Sequence, residues 1–327
     1  MIFVYITNNC NRVCPYCYWP HGESAMSPQV ALDSANWIVD ICKEENVKSL
    51  RVNFLGGEPF IAIDTVFFFI NALQARLPEH VKAYLDGQFL VFTNGDYLSE
   101  DVLKECKKHQ IYIMLNPTYD NLDIVEKKIE YIKYFCHGCS LAVVLDEMNL
   151  PRIVDLTKLI IKHNGHIRIN RLYNGGKDPE YVKEYGRQMD KVLDLILTAP
   201  KPMWPNWIIE STYPTWQSPK NCYSCGKWLA VIDPDGTLRS CNADLDTKIG
   251  SIYTHKHWKE LKMHQRWSAK NILECQGCEW ITLCQAGCPY TRKLAYGTYD
   301  KKTPFCNEFK KLFPKLIKIK DRYVGME

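Results

Sequence analysis

From Met1 to about Pro200 the chain alternates short β-rich runs with longer segments of helical period, and this alternation limits the fold more than any other feature. The β-rich runs are Ile2 to Ile6, Ser49 to Phe54, Phe89 to Thr93, Ile111 to Leu115, Leu141 to Leu145 and Ile167 to Leu172. The first helix carries clear signals: Ser27 and Pro28 as a start, then Ala31, Ala35, Ile38 and Cys42 along one face. Six successive β/α units favour a parallel sheet with helices outside it, either open or closed into a partial barrel. In such folds ligands gather at the C-terminal ends of the strands. After Pro200 the character changes. Residues 201–221 are rich in Pro and Trp, and eight of the fifteen cysteines follow, the last at Cys306. The expected domains are therefore 1–200, a bridge over 201–221, and 222–327 ending in a helix.

With 327 residues, 46% hydrophobic and 24% charged, the chain is long enough for a full core and a second, smaller domain. No apolar run approaches the roughly 18 to 20 residues that cross a bilayer; VFFFINAL from Val66 is short and sits in a helical pattern. The N-terminus has no secretory pattern, so a cytoplasmic protein without a membrane partner is expected. In a reducing compartment fifteen cysteines point to metal rather than disulfides.

Directly after the first strand, TNNCNRVCPYCYW sets Cys10, Cys14 and Cys17 at spacings of four and three residues. Thiols so spaced wrap a 4Fe-4S core and cap three of its irons. Electron-transfer clusters usually take four cysteines, so a three-thiol loop reads as a site that holds a substrate or cofactor on the open iron. A zinc site borrowing a distant ligand is the alternative.

Cys10-x3-Cys14-x2-Cys17, with Tyr16 before the last cysteine, resembles the signature loop of the radical S-adenosylmethionine (SAM) enzymes. The resemblance implies that SAM chelates the open iron and is cleaved to a 5'-deoxyadenosyl radical, which removes hydrogen from an unactivated C–H bond. A second match lies at the end of the second expected strand, where Gly56, Gly57, Glu58 and Pro59 form the family's GGEP element. Independently, two glycines permit close backbone approach to a ligand, and Glu58 offers a carboxylate to a ligand ammonium. The FTNG run ending at Gly95 also resembles the family, with Asn94 expected at the cofactor; Asn-Gly is equally a turn former.

Cys222-x2-Cys225, Gly236 five residues before Cys241, then Cys275-x2-Cys278-x5-Cys284-x3-Cys288 and Cys306, resemble the SPASM domain of peptide-modifying members of that family. The expected fold class is thus α/β, a partial (β/α)6 TIM-like barrel with a smaller C-terminal iron–sulfur domain. By the resemblance, Cys222, Cys225, Cys241 and Cys288 hold one auxiliary 4Fe-4S cluster, and Cys275, Cys278, Cys284 and Cys306 hold another. Three clusters are expected in all, with zinc ribbons as the alternative. The formal charge of +4 counts thiols as neutral; eleven ligating thiolates and three cores bring it to about −1, so it indicates no nucleic-acid partner. The basic run EFKKLFPKLIKIKDRY is expected to be a solvated helix face. Cys42 and Cys106 are expected in the core. Cys136 and Cys139 read as thiols at a helix terminus, with a redox pair as the alternative.

The resemblance implies a net oxidation of a ribosomally made peptide, such as a cross-link or backbone rearrangement, with an external reductant such as flavodoxin or ferredoxin. The first strand begins at Ile2, leaving no room ahead of it for a leader-binding domain. A separate leader-recognition protein, or recognition of the core peptide alone, is expected. A sulfatase maturase forming formylglycine is the first rival. Such enzymes carry an aspartate after the cysteine corresponding to Cys241, whereas Asn242 stands here and cannot act as a general base. Asp244 is the candidate substitute, with nearby Asp246; a solvated turn is the plain alternative. Trp204, Trp207, Tyr213 and Trp216 are candidates for a peptide groove or for interdomain packing. A small-molecule dehydrogenase and a plain electron carrier are the remaining readings.

Overall fold

A computed structural model describes residues 1–83, 87–136, 138–201, 229–261 and 269–324. In chain order the strands are β1 (Ile2–Tyr5), β2 (Ser49–Leu50), β3 (Val52–Leu55), β4 (Lys82–Ala83), β5 (Phe89–Thr93), β6 (Ile111–Leu115), β7 (Cys139–Leu145), β8 (His166–Arg171), β9 (Ala230–Ile232), β10 (Thr237–Arg239) and β11 (Lys248–Ser251). The longer helices are α1 (Pro28–Glu44), α2 (Ile63–Gln74), α3 (Glu100–Lys108), α4 (Leu122–Phe135), α5 (Asn149–Lys162) and α6 (Pro179–Thr198), then α7 (Ile281–Cys284), α8 (Pro289–Tyr296) and α9 (Cys306–Val324). Six strands, β1, β3, β5, β6, β7 and β8, are each followed by a helix, as the alternation requires.

The described residues group into two units. The first comprises 1–115, 128–139 and 229–261. Its sheet runs β11-β10-β9-β1-β3-β5-β6, parallel from β9 through β6, with β10 and β11 turning back antiparallel. Ser27 caps α1, its hydroxyl accepting from the Val30 N–H at 3.2 Å, and Pro28 fixes the first helical turn. Ala31, Ala35, Ile38 and Cys42 all fall on the buried face. Phe3, Tyr5, Trp19, Leu229 and Val231 form a cluster over one side of the sheet. On another strand Phe54 meets Phe69 of α2 edge-on, which accounts for the apolar VFFFINAL run. The run Ser49 to Phe54 is not one strand. Ser49–Leu50 pairs with Lys82–Ala83 in a separate two-stranded sheet, and the main strand begins at Val52.

The second unit comprises 116–127, 140–201 and 269–324. In it β7 and β8 pair in parallel, from Ser140 opposite His166 to Leu145 opposite Arg171. Arg171 is buried, its guanidinium 4.7 Å from the Phe305 ring centre and 5.1 Å from that of Phe309. Phe309, Leu312, Phe313, Leu316 and Ile319 form the buried stripe of α9, while Lys310, Lys311 and Lys318 face water. The basic run is thus the solvated face of an amphipathic helix. The bridge residues Trp204, Trp207, Tyr213 and Trp216, with Cys222 and Cys225, lie outside the described residues. Among the described residues no helix is long and apolar enough to cross a membrane.

Candidate functional site

The three-thiol loop leaves the C-terminal end of β1 and is fastened at both ends. Thr7 bridges Ala25, the Thr7 hydroxyl donates to the Ser24 carbonyl at 3.1 Å, and the Asn8 N–H donates to the same carbonyl at 2.7 Å. Inside the loop the Cys17 N–H donates to the Cys14 carbonyl at 2.9 Å, and the Arg12 N–H lies 3.4 Å from Cys10 Sγ. Cys10 and Cys14 are half-buried, and Cys17 is exposed.

Burial pushes each of the three thiols up; the charges of the other two thiols add to this at Cys14, and those of Glu58 and Cys17 add at Cys10. A hydrogen bond from the Tyr16 side chain to Cys14 works the other way and favours the thiolate. A loop that raises three thiol pKa values while bringing the groups together suits a cationic centre that supplies the missing countercharge. The donor set is all thiol, which suits a soft-metal centre such as an iron–sulfur core or zinc.

Gly56 and Gly57 follow β3, and the chain they admit is the loop itself. A Cβ on Gly56 would meet the Thr7 backbone; one on Gly57 would collide with the Asn9 carbonyl and sit 2.9 Å from Cys10 Cβ. The Gly57 N–H donates to the Thr7 carbonyl at 2.7 Å and the Glu58 N–H to the Asn9 carbonyl at 2.8 Å. Pro59 opens a single 3-10 turn. The Glu58 carboxylate is buried and accepts from the Phe60 N–H, the Thr93 hydroxyl and the Asn94 N–H at 3.0, 2.8 and 2.8 Å. It therefore ties the end of β3 to the end of β5, with one acceptor position on Oε2 beyond these bonds.

Asn94 continues the network. Its Nδ2 donates to Asn11 Oδ1 at 2.8 Å, and its Oδ1 accepts from the Asp96 N–H at 2.9 Å. Asp96, which the sequence reading did not single out, receives Asn11, a fork from Arg12 at 2.6 and 2.5 Å, and Lys128 at 2.9 Å. Although burial opposes ionisation, the bonds from Arg12, Lys128 and Asn11 hold this carboxyl well below the usual carboxylate range. The three-thiol loop is thus clamped to the end of β5 by one carboxylate. That Asp96 directly follows FTNG was a legible hint; Lys128, thirty-two residues further on, was not.

Cys241 lies just past β10 and is buried. The Asp244 N–H lies 3.4 Å from Cys241 Sγ, and the Asp244 carbonyl accepts from the Thr247 hydroxyl at 2.6 Å. Asp244 is only 2% exposed, so the plain reading of a solvated turn fails for it; Asp246 is exposed. The Asn242 backbone carbonyl accepts from the Tyr5 hydroxyl at 3.0 Å, and its side-chain Nδ2 lies 3.5 Å from the Tyr18 hydroxyl oxygen. Tyr18, also missed in the sequence, lies within electrostatic reach of both Cys17 and Cys241, and burial pushes its phenol up to about 12.

In the second unit burial raises the Cys275 thiol, with the charges of Cys306 and Cys278 adding to it, and burial with the charges of Cys306, Cys275 and Cys278 pushes Cys284 up to about 12. Cys288 caps α8, and Cys306 opens α9. Cys42 and Cys106 are buried on their helices, as expected. Cys136 and Cys139 are buried at the end of α4 and the start of β7, the Cys136 thiol donating to the Ile111 carbonyl at 3.3 Å.

Residues 4–146 match the model of the radical SAM superfamily. The chain is 22% identical to a cysteine-type anaerobic sulfatase-maturating enzyme of Clostridium novyi, over 95% of this chain and 93% of that protein. It is 20% identical to the radical SAM cyclopropyl synthase TigE of Paramaledivibacter caminithermalis, over 95% of this chain and 72% of that one. Its fold is that of native anSMEcpe with bound AdoMet and Kp18Cys peptide, with a TM-score of 0.77 at 17% identity, covering 98% of this chain and 99% of that chain.

Proposed function

We propose that this chain, whose residues 4–146 form a radical SAM domain, is a maturase that oxidatively modifies a ribosomally made peptide, by a cross-link or a backbone rearrangement. The observation that carries this reading is the three-thiol loop, packed through Gly56 and Gly57 against a strand end and clamped by Asp96. Cys10, Cys14 and Cys17 would hold a 4Fe-4S cluster with S-adenosylmethionine, which when bound supplies a 5'-deoxyadenosyl radical for hydrogen removal from the peptide. Tyr16 favours the thiolate of Cys14. Glu58 and Asn94 hold the loop in register and offer acceptor and donor atoms beside it. Auxiliary clusters on Cys222, Cys225, Cys241 and Cys288, and on Cys275, Cys278, Cys284 and Cys306, belong to the same proposal. The charge coupling within the second set supports it. A one-electron donor of flavodoxin or ferredoxin type is the proposed external partner.

A peptide as substrate is supported by one relative described as sulfatase-maturating and by a similar structure described with a bound peptide. The likeness to the Clostridium novyi enzyme over 95% of the chain also favours a second reading, oxidation of a cysteine or serine side chain to formylglycine. In that reading buried Asp244 would accept the proton, because Asn242 has no carboxylate.

The test is anaerobic turnover with reductant, SAM and two peptide sets, one encoded beside the gene and one derived from sulfatases. Production of 5'-deoxyadenosine with an oxidised, cross-linked or rearranged neighbouring peptide supports the first reading. Aldehyde formation on the sulfatase peptide alone moves the assignment to the second. Absence of 5'-deoxyadenosine from a fully reconstituted protein rejects both.

A further inference from the structure

We infer that Tyr5 and Tyr18 are positioning residues that couple the three-thiol loop to the Cys241 site. Tyr18 directly follows Cys17, and Asn242 directly follows Cys241. The Tyr5 hydroxyl donates to the Asn242 carbonyl at 3.0 Å and lies 3.1 Å from the Tyr18 hydroxyl, while Asn242 Nδ2 lies 3.5 Å from that same Tyr18 oxygen. A phenol carries one proton. With that of Tyr5 committed to Asn242, the Tyr18 hydroxyl must donate to Tyr5, and the Asn242 amide closes the ring onto Tyr18. The three hydrogen bonds therefore run in one sense around a triangle whose corners are β1, the residue after Cys17 and the residue after Cys241.

The triangle is held from beneath. The Tyr5 and Trp19 rings stack with centroids 3.7 Å apart and planes 16° from parallel. The Arg239 guanidinium sits 5.3 Å from one ring centre and 5.0 Å from the other. Arg239 is 1% exposed, is forked onto Asp233 at 2.6 to 2.9 Å, and donates to the Cys241 carbonyl at 3.3 Å. It thus touches both the aromatic pair beside Cys17 and the backbone of Cys241. Burial alone does not require the hydroxyls, since phenylalanine fills the same space and brings no polar group to satisfy. What the hydroxyls add is a fixed link between two thiol-bearing segments 224 residues apart in sequence. A shift of the Cys241 backbone pulls on Asn242 and Tyr5, and through Tyr18 on Cys17.

This inference rests on the proposed reading that Cys17 and Cys241 both ligate clusters. It is tested on the reconstituted full chain with Tyr5→Phe, Cys241→Ser and the double variant. The readouts are the dissociation constant of SAM and the change SAM causes in the EPR spectrum of the reduced cluster. Tyr5→Phe keeps the stack and removes two bonds of the triangle; the expected weakening of SAM binding is about fivefold. Cys241→Ser is expected to weaken it to a similar degree, and the double variant no further than Cys241→Ser alone, because both act through one link. Tyr97→Phe, a surface tyrosine that is 45% exposed, is the control and should match the parent. Where Tyr5→Phe fails to take up iron, Tyr18→Phe, which removes the bond donated to Tyr5 and the longer bond accepted from Asn242 Nδ2 but leaves the Tyr5–Asn242 bond, replaces it in the same cycle. Unchanged binding and spectrum in the tyrosine variant, or effects that multiply in the double variant, overturn the coupling. A parent protein with no SAM-responsive signal overturns the proposed function along with it.

Discussion

The Glu58 carboxylate is where the ends of β3 and β5 meet, and its three donors define what a substitution does. In Glu58→Gln one oxygen becomes an amide that must face either the Asn94 N–H or the Phe60 and Thr93 donors. The expected loss is about 2–3 kcal/mol by denaturant unfolding, against about 1–2 kcal/mol for Thr93→Val, which removes one of the three donors to Glu58 and the acceptor of the Gly95 N–H. If the two substitutions cost the same, Glu58 is not the tie described here. Gly57 makes a second point. Its new Cβ would meet backbone rather than a movable side chain, so Gly57→Ala must displace the loop. The expected outcome is iron uptake at the three-thiol loop at least several-fold below the parent, with far-UV circular dichroism unchanged. At this scale the motif residues were legible, but their duties were partly different. Sequence reading supposed that the glycines admit a ligand and that Glu58 faces an ammonium; in the fold they also admit and anchor Thr7–Asn9. Lys128, Tyr5 and Arg239 carry no local pattern, because their partners lie on other elements and only the chain path brings them together.

Among the elements, β5 and β6 were legible to the residue, since each is a short β-branched or aromatic run bounded by clear turns. The break at Arg51 was not, because SLRVNFL reads as one continuous strand until pairing with Lys82–Ala83 draws the first two residues away. β10 and β11 were also missed; TLR and KIGS are too short and polar to signal themselves, although Asp235-Gly236 marks the turn between β9 and β10. Helix α1 was legible from its cap to its buried face, and it carries a prediction in pH. Burial pushes the Cys42 thiol up to about 11, against the opposing charge of the N-terminal amine. An unfolded thiol titrates near ~8.5. The folded pKa is the higher one, so the stabilisation by the neutral thiol is complete below about pH 8.5 and drains away as pH rises toward 11. Cys42→Ala should therefore cost about 1 kcal/mol at pH 7 through lost packing. That difference should shrink steadily above pH 9 in denaturant unfolding of parent and variant. A difference that stays constant to pH 10.5 would mean that Cys42 is not held neutral by its surroundings.

For the whole molecule the proposed reading divides the cysteines into those that build the core and those that bind metal, and the division makes a count. Cys42, Cys106, Cys136 and Cys139 are buried among helices and strand ends and fall outside the loop and C-terminal motifs. Eleven others form one set of three and two sets of four on the proposed reading, which corresponds to about twelve irons per chain. Cys14→Ala, Cys241→Ala and Cys284→Ala should each remove about four irons from the reconstituted protein, because a cubane that loses a ligand is generally lost as a unit rather than one iron at a time. Cys106→Ala should remove none, although it opens a small cavity. Iron and zinc analysis on the same samples distinguishes the alternatives. Two zincs retained beside four irons would assign the C-terminal thiols to structural ribbons and leave a single cluster at Cys10, Cys14 and Cys17. In such a protein the electron that a peptide oxidation releases would have to return to the three-thiol cluster that spent one on SAM, with no separate internal path to the surface. The metal count therefore decides the electron's route before any substrate is known.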